Sequence, residues 1–173
     1  MILRSKKRAF SLVELVIVVV IIGVIAAIAV PRISRGAKGA GDSALRGSLA
    51  SLRNAIDMYA AEHGGEFPGN NAGTCVDTLL IDQLTKKTDA TGLTGSGAGF
   101  DFGPYLRKSF PPVPVGPLAG KATGILVDAS NSPPAAESSP TAGKGWVYNC
   151  LTGEIVVNTQ TSDEGNNRYD LTY

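Results

Sequence analysis

Histidine is almost absent from this sequence, with His63 the only one among 173 residues. A Ser-His-Asp triad or a histidine-ligated metal site needs histidine beside other groups, and a single histidine makes either kind of site improbable. Two glycine-lysine segments, at 118–123 and 141–145, lack the spacing of a phosphate-binding loop. The sequence therefore predicts no catalytic residue and no enzyme. His63 falls at the end of a predicted helix, where it can cap the last carbonyls.

The chain also lacks a strong excess of charge, because its net charge is +1. Four bases and no acid lie within residues 1–9, and the rest of the chain carries three more acids than bases. Phosphate binding needs a concentrated basic face. The sequence therefore predicts no nucleic-acid partner.

Long apolar runs are limited to one, from Phe10 to Val30, at the N-terminus. As a helix it is about 30 Å long, which matches the hydrocarbon core of a bilayer. A secretory signal peptide with a small-x-small site at Ala27-Ile28-Ala29 is the alternative. The length of the run and the acid Glu14 inside it argue against a signal peptide. We expect a single membrane span with the N-terminus inside.

Residues 9–31, AFSLVELVIVVVIIGVIAAIAVP, combine a small residue, Phe-Ser-Leu-Val-Glu-Leu and an aliphatic run that ends at a proline. With the short basic leader before it, this segment resembles type IV prepilins and the pseudopilins of type II secretion systems. The resemblance implies cleavage between Ala9 and Phe10 by a prepilin peptidase, and N-methylation of Phe10. Ala9 stands where glycine is usual. The segments GPYLRKSFP (103–111) and GWVYNCLTGEIVVN (145–158) resemble the major pseudopilins more weakly.

Glu14 is an acid inside the apolar run, where a lone carboxylate is costly and usually has a partner. On a helix Glu14 lies one turn from Phe10 on the same face. After cleavage, the new amine of an incoming subunit can pair with Glu14 of its neighbour and set the axial register of the two helices. The alternative is a carboxylate that snorkels to the interface of an ordinary anchor.

The resemblance implies an α+β, pilin-like fold, in which a long N-terminal helix packs on a small antiparallel sheet. The expected parts are a leader (1–9), a transmembrane and polymerisation helix (10–63) and a loop-rich extracytoplasmic head (64–173). The expected function is a structural subunit of a type II secretion pseudopilus. The alternatives are a type IV pilus subunit and a membrane-anchored or secreted binding domain.

The implied partners are other copies of the chain, the prepilin peptidase, an inner-membrane assembly platform and minor pseudopilins. The implied location is the inner membrane before assembly. In the filament the head then lies in the periplasm or outside the cell.

The long helix is expected to break or kink at Pro31, because proline lacks a backbone donor and clashes with the preceding turn. Beyond it, five apolar residues recur at helical spacing and predict a face that packs on the head; they are Leu45, Leu49, Leu52, Ile56 and Tyr59. A short coiled coil is the alternative. Gly64-Gly65 predicts the end of the helix.

In the head, Thr74 to Asp77 predicts a capping box that opens a short helix to about Lys87. Alternating patterns predict strands at 123–128, 144–150 and 153–158, and the last two form a hairpin around Leu151-Thr152-Gly153. The Ser, Pro and Ala-rich segment between Ala129 and Gly143 is expected to be an exposed loop.

The chain has only two cysteines, Cys75 and Cys150. If the head lies outside the cytoplasm, an even number favours a disulfide. Two reduced, buried cysteines are the alternative.

The C-terminal segment TSDEGNNRYDLTY gathers oxygen ligands that suit calcium, with Asp163, Glu164 and Asp170 as candidates. Major pseudopilins have a calcium site late in the head, but this segment matches neither their usual pattern nor an EF-hand. A solvated polar tail is the favoured interpretation, with no certain cofactor.

Overall fold

The structure is a computed structural model that describes residues 10–121, 123–163 and 165–172. Its first element is helix α1, Leu12–Glu62. The helix ends as predicted, because Gly64 and Gly65 both have positive φ angles. The amide of Gly65 donates to the carbonyl of Ala60 at 2.8 Å, which satisfies a carbonyl of the last turn.

Pro31 lies inside α1, so the predicted helix break is not present. A proline at this position removes one amide donor, whose acceptor would be the carbonyl of Ala27. The turns on both sides keep their own hydrogen bonds, and the loss of one bond does not end the helix.

The chain divides into two compact units, the first ending at Ala37 and the second beginning at Lys38. From Lys38 onward, α1 lies in the second unit and contributes to its core. Its apolar stripe is fully buried, as predicted, and packs in one cluster with residues of the sheet. The largest fully buried side chains include Leu45, Leu49, Leu52, Ile56, Leu80, Leu84, Phe110, Ile125, Trp146 and Tyr148.

The main sheet has three strands, β3 (Gly124–Val127), β4 (Lys144–Tyr148) and β5 (Ile155–Val157), in that order. Strands β4 and β5 form the predicted antiparallel hairpin, with Trp146 opposite Val157. Strand β3 pairs with β4 in parallel, so the sheet is mixed and not wholly antiparallel. The long segment between β3 and β4 allows this pairing, because a parallel neighbour needs a crossover of about a dozen residues or more. The α+β class with a long N-terminal helix is confirmed.

A small hairpin, β1 (Asn70–Asn71) and β2 (Thr74–Cys75), precedes helix α2, Asp77–Thr85. The predicted capping box at Thr74 is wrong, because Thr74 is a strand residue and the N-cap is Val76, which makes no side-chain cap. Strand pairing of Asn70 with Cys75 holds this segment extended up to the start of α2.

The C-terminal segment is not the solvated tail that the sequence favoured. It ends in a short helix, α3 (Tyr169–Thr172), whose Tyr169 is buried in the core cluster. The Tyr169 hydroxyl donates to Asp42 Oδ1 at 2.6 Å. This hydrogen bond connects α3 to the second half of α1, and it gives the hydroxyl of the buried tyrosine an acceptor.

The loop between β3 and β4 has an ordered base centred on Glu137. Its carboxylate accepts hydrogen bonds from the Thr141 amide at 2.8 Å and from Asn158 Nδ2 at 2.7 Å. The Glu137 amide in turn donates to Asn158 Oδ1 at 2.9 Å. These bonds, first among them that from the Thr141 amide, lower the pKa of Glu137. The loop is thus fastened to the end of β5.

Acid should loosen this loop. Because the pKa of Glu137 is lower in the folded chain, its stabilisation is complete above the unfolded value of about 4.3 and is lost as the pH falls through the folded value. We expect the Thr141 amide to exchange faster with solvent at pH 3 than at pH 6, beyond the intrinsic effect of pH. In Glu137→Gln this acid dependence should disappear. Amide hydrogen exchange of Thr141 is measured at both pH values in the wild-type chain and in Glu137→Gln. The variant Asp101→Asn, at an exposed acid, is the control and should keep the acid dependence. The same acid dependence in Glu137→Gln would contradict the assignment.

Candidate functional site

The start of α1 carries the acid that the sequence singled out. Glu14 lies in the first turn, and its Oε2 accepts a hydrogen bond from the backbone amide of Ser11 at 2.9 Å. The Leu15 amide donates to the Ser11 carbonyl at 3.2 Å, which makes Ser11 the N-cap. The contact of Glu14 with the Ser11 amide is one half of a capping box. This role of Ser11 was not predicted, although the Ser-x-x-Glu spacing signals it.

Around Glu14 the helix presents an apolar surface that packs on nothing in its own unit. Phe10 is 81% exposed, and no part of the most apolar stretch of α1 is buried. Within the described residues, α1 is the one helix long and apolar enough to cross a membrane. The exposed large side chains of this unit are Phe10, Leu12, Val13, Leu15, Val16, Ile17, Val18, Val19, Val20, Ile21, Ile22, Val24, Ile25, Ile28, Val30 and Ile33. A contiguous apolar surface of this size is typical of a segment that contacts lipid or other protein.

Glu14 takes part in none of the ion pairs found within the described residues. Phe10 precedes it by one helical turn, so an amine at Phe10 would lie at the same end of the helix. Ala9, the other predicted processing residue, and the rest of the leader lie outside the described residues. The described part of this site is therefore an acid at a helix start, inside an apolar surface.

In the head, Cys75 and Cys150 form a disulfide, with their Cα atoms 5.5 Å apart. Cys150 is fully buried in the core cluster, and the Cys150 amide lies 3.1 Å from Cys75 Sγ. The bond closes a loop with a sequence separation of 75 residues and joins the small hairpin to the turn that follows β4. It is a structural crosslink.

His63 is fully engaged with structural partners. Its Nδ1 lies 2.8 Å from the carbonyl of Tyr59 in the last turn of α1, which is the predicted capping contact. Its Nε2 lies 2.9 Å from the Asp89 carbonyl and 3.1 Å from Thr88 Oγ1. The ring also stacks on Tyr59, with the ring centres 3.9 Å apart. His63 thus joins the end of α1 to the following loop.

Two of the three calcium candidates bind other residues of the chain, and the third lies outside the described residues. Asp163 Oδ1 accepts the Asn167 amide at 2.9 Å, and Asp170 forms an ion pair with Arg168 at 2.6 Å. Glu164 lies outside the described residues. Within 10–121, 123–163 and 165–172, no group of three or more His, Cys, Asp or Glu side chains could hold a metal ion.

Comparison with known families gives a match at the N-terminus. Residues 4–30 match the family described as the prokaryotic N-terminal methylation motif. Nothing among the curated proteins or the solved structures matches the chain. The match covers the basic residues of the leader, Ala9, Phe10, Glu14 and the apolar run. The N-terminal segment of this chain is therefore similar to the prokaryotic N-terminal methylation motif.

Proposed function

We propose that the chain is a structural subunit that polymerises through its hydrophobic N-terminal helix into the pseudopilus of a type II secretion system. The observation that carries the proposal is the combination of the methylation motif with an apolar helix whose surface nothing in its own unit covers. Such a surface suits a lipid bilayer before assembly and the helices of neighbouring subunits afterwards. The proposal includes a structural role and no catalysis.

A type IV pilus subunit is equally consistent with the motif and the helix. The pseudopilus is preferred on the resemblance of residues 103–111 and 145–158 to major pseudopilins. In the head, the first of these segments contributes the buried Phe110, and the second forms the β4–β5 hairpin. The proposed partners are the prepilin peptidase, the inner-membrane assembly platform, minor pseudopilins and further copies of the chain. The proposed location before assembly is the inner membrane, with a cytoplasmic N-terminus.

Processing provides the first test. In a host with a prepilin peptidase, the mature chain should begin at N-methylated Phe10, since the cut follows Ala9. Mass analysis of the N-terminal peptide measures both the start and the methyl group. Ala9→Gly should give the same N-terminus, and Ala9→Arg should leave the leader attached. A chain that starts at Val30 would instead indicate an ordinary signal peptide and overturn the proposal.

Assembly separates the two filament types. The processed chain should form filaments when it is produced with the assembly components of a type II secretion system. Electron microscopy with an antibody to the head counts the filaments. Filaments formed only with type IV pilus components would favour the pilus subunit. Absence of filaments with either set, with normal processing, would favour a membrane-anchored domain.

A further inference from the structure

The contact between Ser11 and Glu14 is made by the backbone of Ser11. The donor is the Ser11 amide, and the acceptor is Glu14 Oε2 at 2.9 Å. Glu14 is the third helical residue, and side chains on a helix lean toward its N-terminus. The carboxylate therefore turns back over the helix start, where the amides have no acceptor of their own.

In this contact the backbone amide of Ser11 and the carboxylate of Glu14 give each other a hydrogen-bond partner. In hydrocarbon, a backbone amide without an acceptor and a carboxylate without a donor are both costly. A hydrogen bond from an amide to an ionised carboxylate is among the stronger kinds, and the positive end of the helix dipole adds to it. The subunit can therefore hold Glu14 in place before any neighbour supplies an amine.

The bond leaves part of the carboxylate free to accept another donor. Among the described residues, Ser11 donates to Oε2, and no hydrogen bond is present at Oε1. A glutamate with no intrachain donor would extend toward the headgroups, because long charged side chains leave the hydrocarbon when they can. The hydrogen bond to the Ser11 amide therefore keeps the Glu14 carboxylate at the helix start, and its Oε1 can accept a bond from another donor.

We infer that Ser11 is a positioning residue for assembly, and that its backbone amide holds Glu14 at the helix start in the unassembled subunit, ready for the amine of the next subunit. This inference rests on the proposed function. Position 11 must then supply a backbone N–H donor, and the identity of its side chain is not important.

The first test measures the bond directly. The full processed chain, in detergent micelles without filaments, should show an exchange-protected Ser11 amide by NMR. Exchange should be roughly tenfold faster in Glu14→Val, as expected for the loss of one such hydrogen bond. Glu14→Gln keeps an acceptor oxygen and should remain protected. Equal exchange of the Ser11 amide in the wild-type chain and in Glu14→Val would overturn the inference.

The second test removes the donor. Ser11→Pro lacks the amide and should reduce filament yield roughly tenfold, while Ser11→Ala keeps the amide and should restore the yield. Leader cleavage and protease resistance of the head are measured in both variants, and neither should change. Normal filaments from a processed Ser11→Pro chain would overturn the inference. If Ser11→Pro is not processed, the exchange measurement decides.

The two proposals fail in different ways. If Glu14→Val blocks filaments and Ser11→Pro does not, the positioning role is wrong and the filament subunit stands. If the wild-type chain is processed and forms no filament with either assembly machinery, the proposed function is wrong, whatever the state of the Ser11 amide.

Discussion

Glu14→Val should abolish or strongly reduce filament formation while the leader is still cut, the helix inserted and the head folded. In the proposed assembly, the amine of an incoming subunit then has no carboxylate to pair with, and both axial register and charge compensation are lost. Removal of an acid from the bilayer makes insertion easier by a few kcal/mol, so a worse anchor cannot explain the loss. Filament yield by electron microscopy is the measurement, beside a cleavage assay and proteolysis of the head.

Two variants at the same position refine this result. Glu14→Asp conserves the charge and shortens the reach by one methylene, so its filament defect should be intermediate. Glu14→Gln keeps an acceptor for the Ser11 amide but has no charge for the amine, so it should assemble as poorly as the valine variant. Normal filaments from Glu14→Val would show that the carboxylate is incidental, and would favour an anchored extracytoplasmic domain.

Loss of the disulfide should have the largest effect on stability of the head. For a closed loop of this length, the chain-entropy model gives about 4 kcal/mol of stabilisation. The double variant Cys75→Ser/Cys150→Ser should therefore have a clearly lower midpoint of urea unfolding than the oxidised protein. Trp146 is the only tryptophan and is fully buried, so its fluorescence reports the unfolding of the head core.

The reduced wild-type chain is the matched control, because it lacks the crosslink and keeps both sulfur atoms. It should unfold close to the double variant. Thiol labelling of the denatured, unreduced protein should find no free thiol. Two labelled cysteines, or equal unfolding midpoints for the oxidised chain and the double variant, would contradict a stabilising disulfide.

Local patterns predicted much of the fold. The end of α1 follows from Gly64-Gly65, its buried stripe follows from the 3.6-residue period, and the β4–β5 hairpin follows from two alternating segments with a short turn. Each of these depends on residues close together in the chain. Such interactions are readable from a single sequence.

Two of the errors involve partners that are distant in sequence, and a third involves a competing local structure. The parallel pairing of β3 with β4 depends on how a long loop returns across the sheet, which its composition does not indicate. The C-terminal segment looks polar, but Tyr169 finds its partner 127 residues away, at Asp42. Thr74 resembles a cap, but it pairs locally with Asn71 in the small hairpin instead. Tertiary context decided the first two cases, and local strand pairing decided the third.

At the candidate site, the sequence was more informative than in the head. Ala9, Phe10 and Glu14 belong to a compact linear motif, which the family match covers. The acids at the C-terminus were ambiguous, since carboxylates that bind metals and carboxylates that bond to nearby amides look alike in sequence. For Asp163 and Asp170 the structure supplies the intrachain partners, Asn167 and Arg168.

The bond between Tyr169 and Asp42 has a consequence for the timing of biogenesis. Asp42 lies near the beginning of the second compact unit, and Tyr169 lies in helix α3. Tyr169 is synthesised 127 residues after Asp42, so this end of the core cannot complete its packing until the segment that carries Tyr169 has left the ribosome. A chain truncated before Tyr169 leaves Asp42 without this donor and this end of the core without its tyrosine cover.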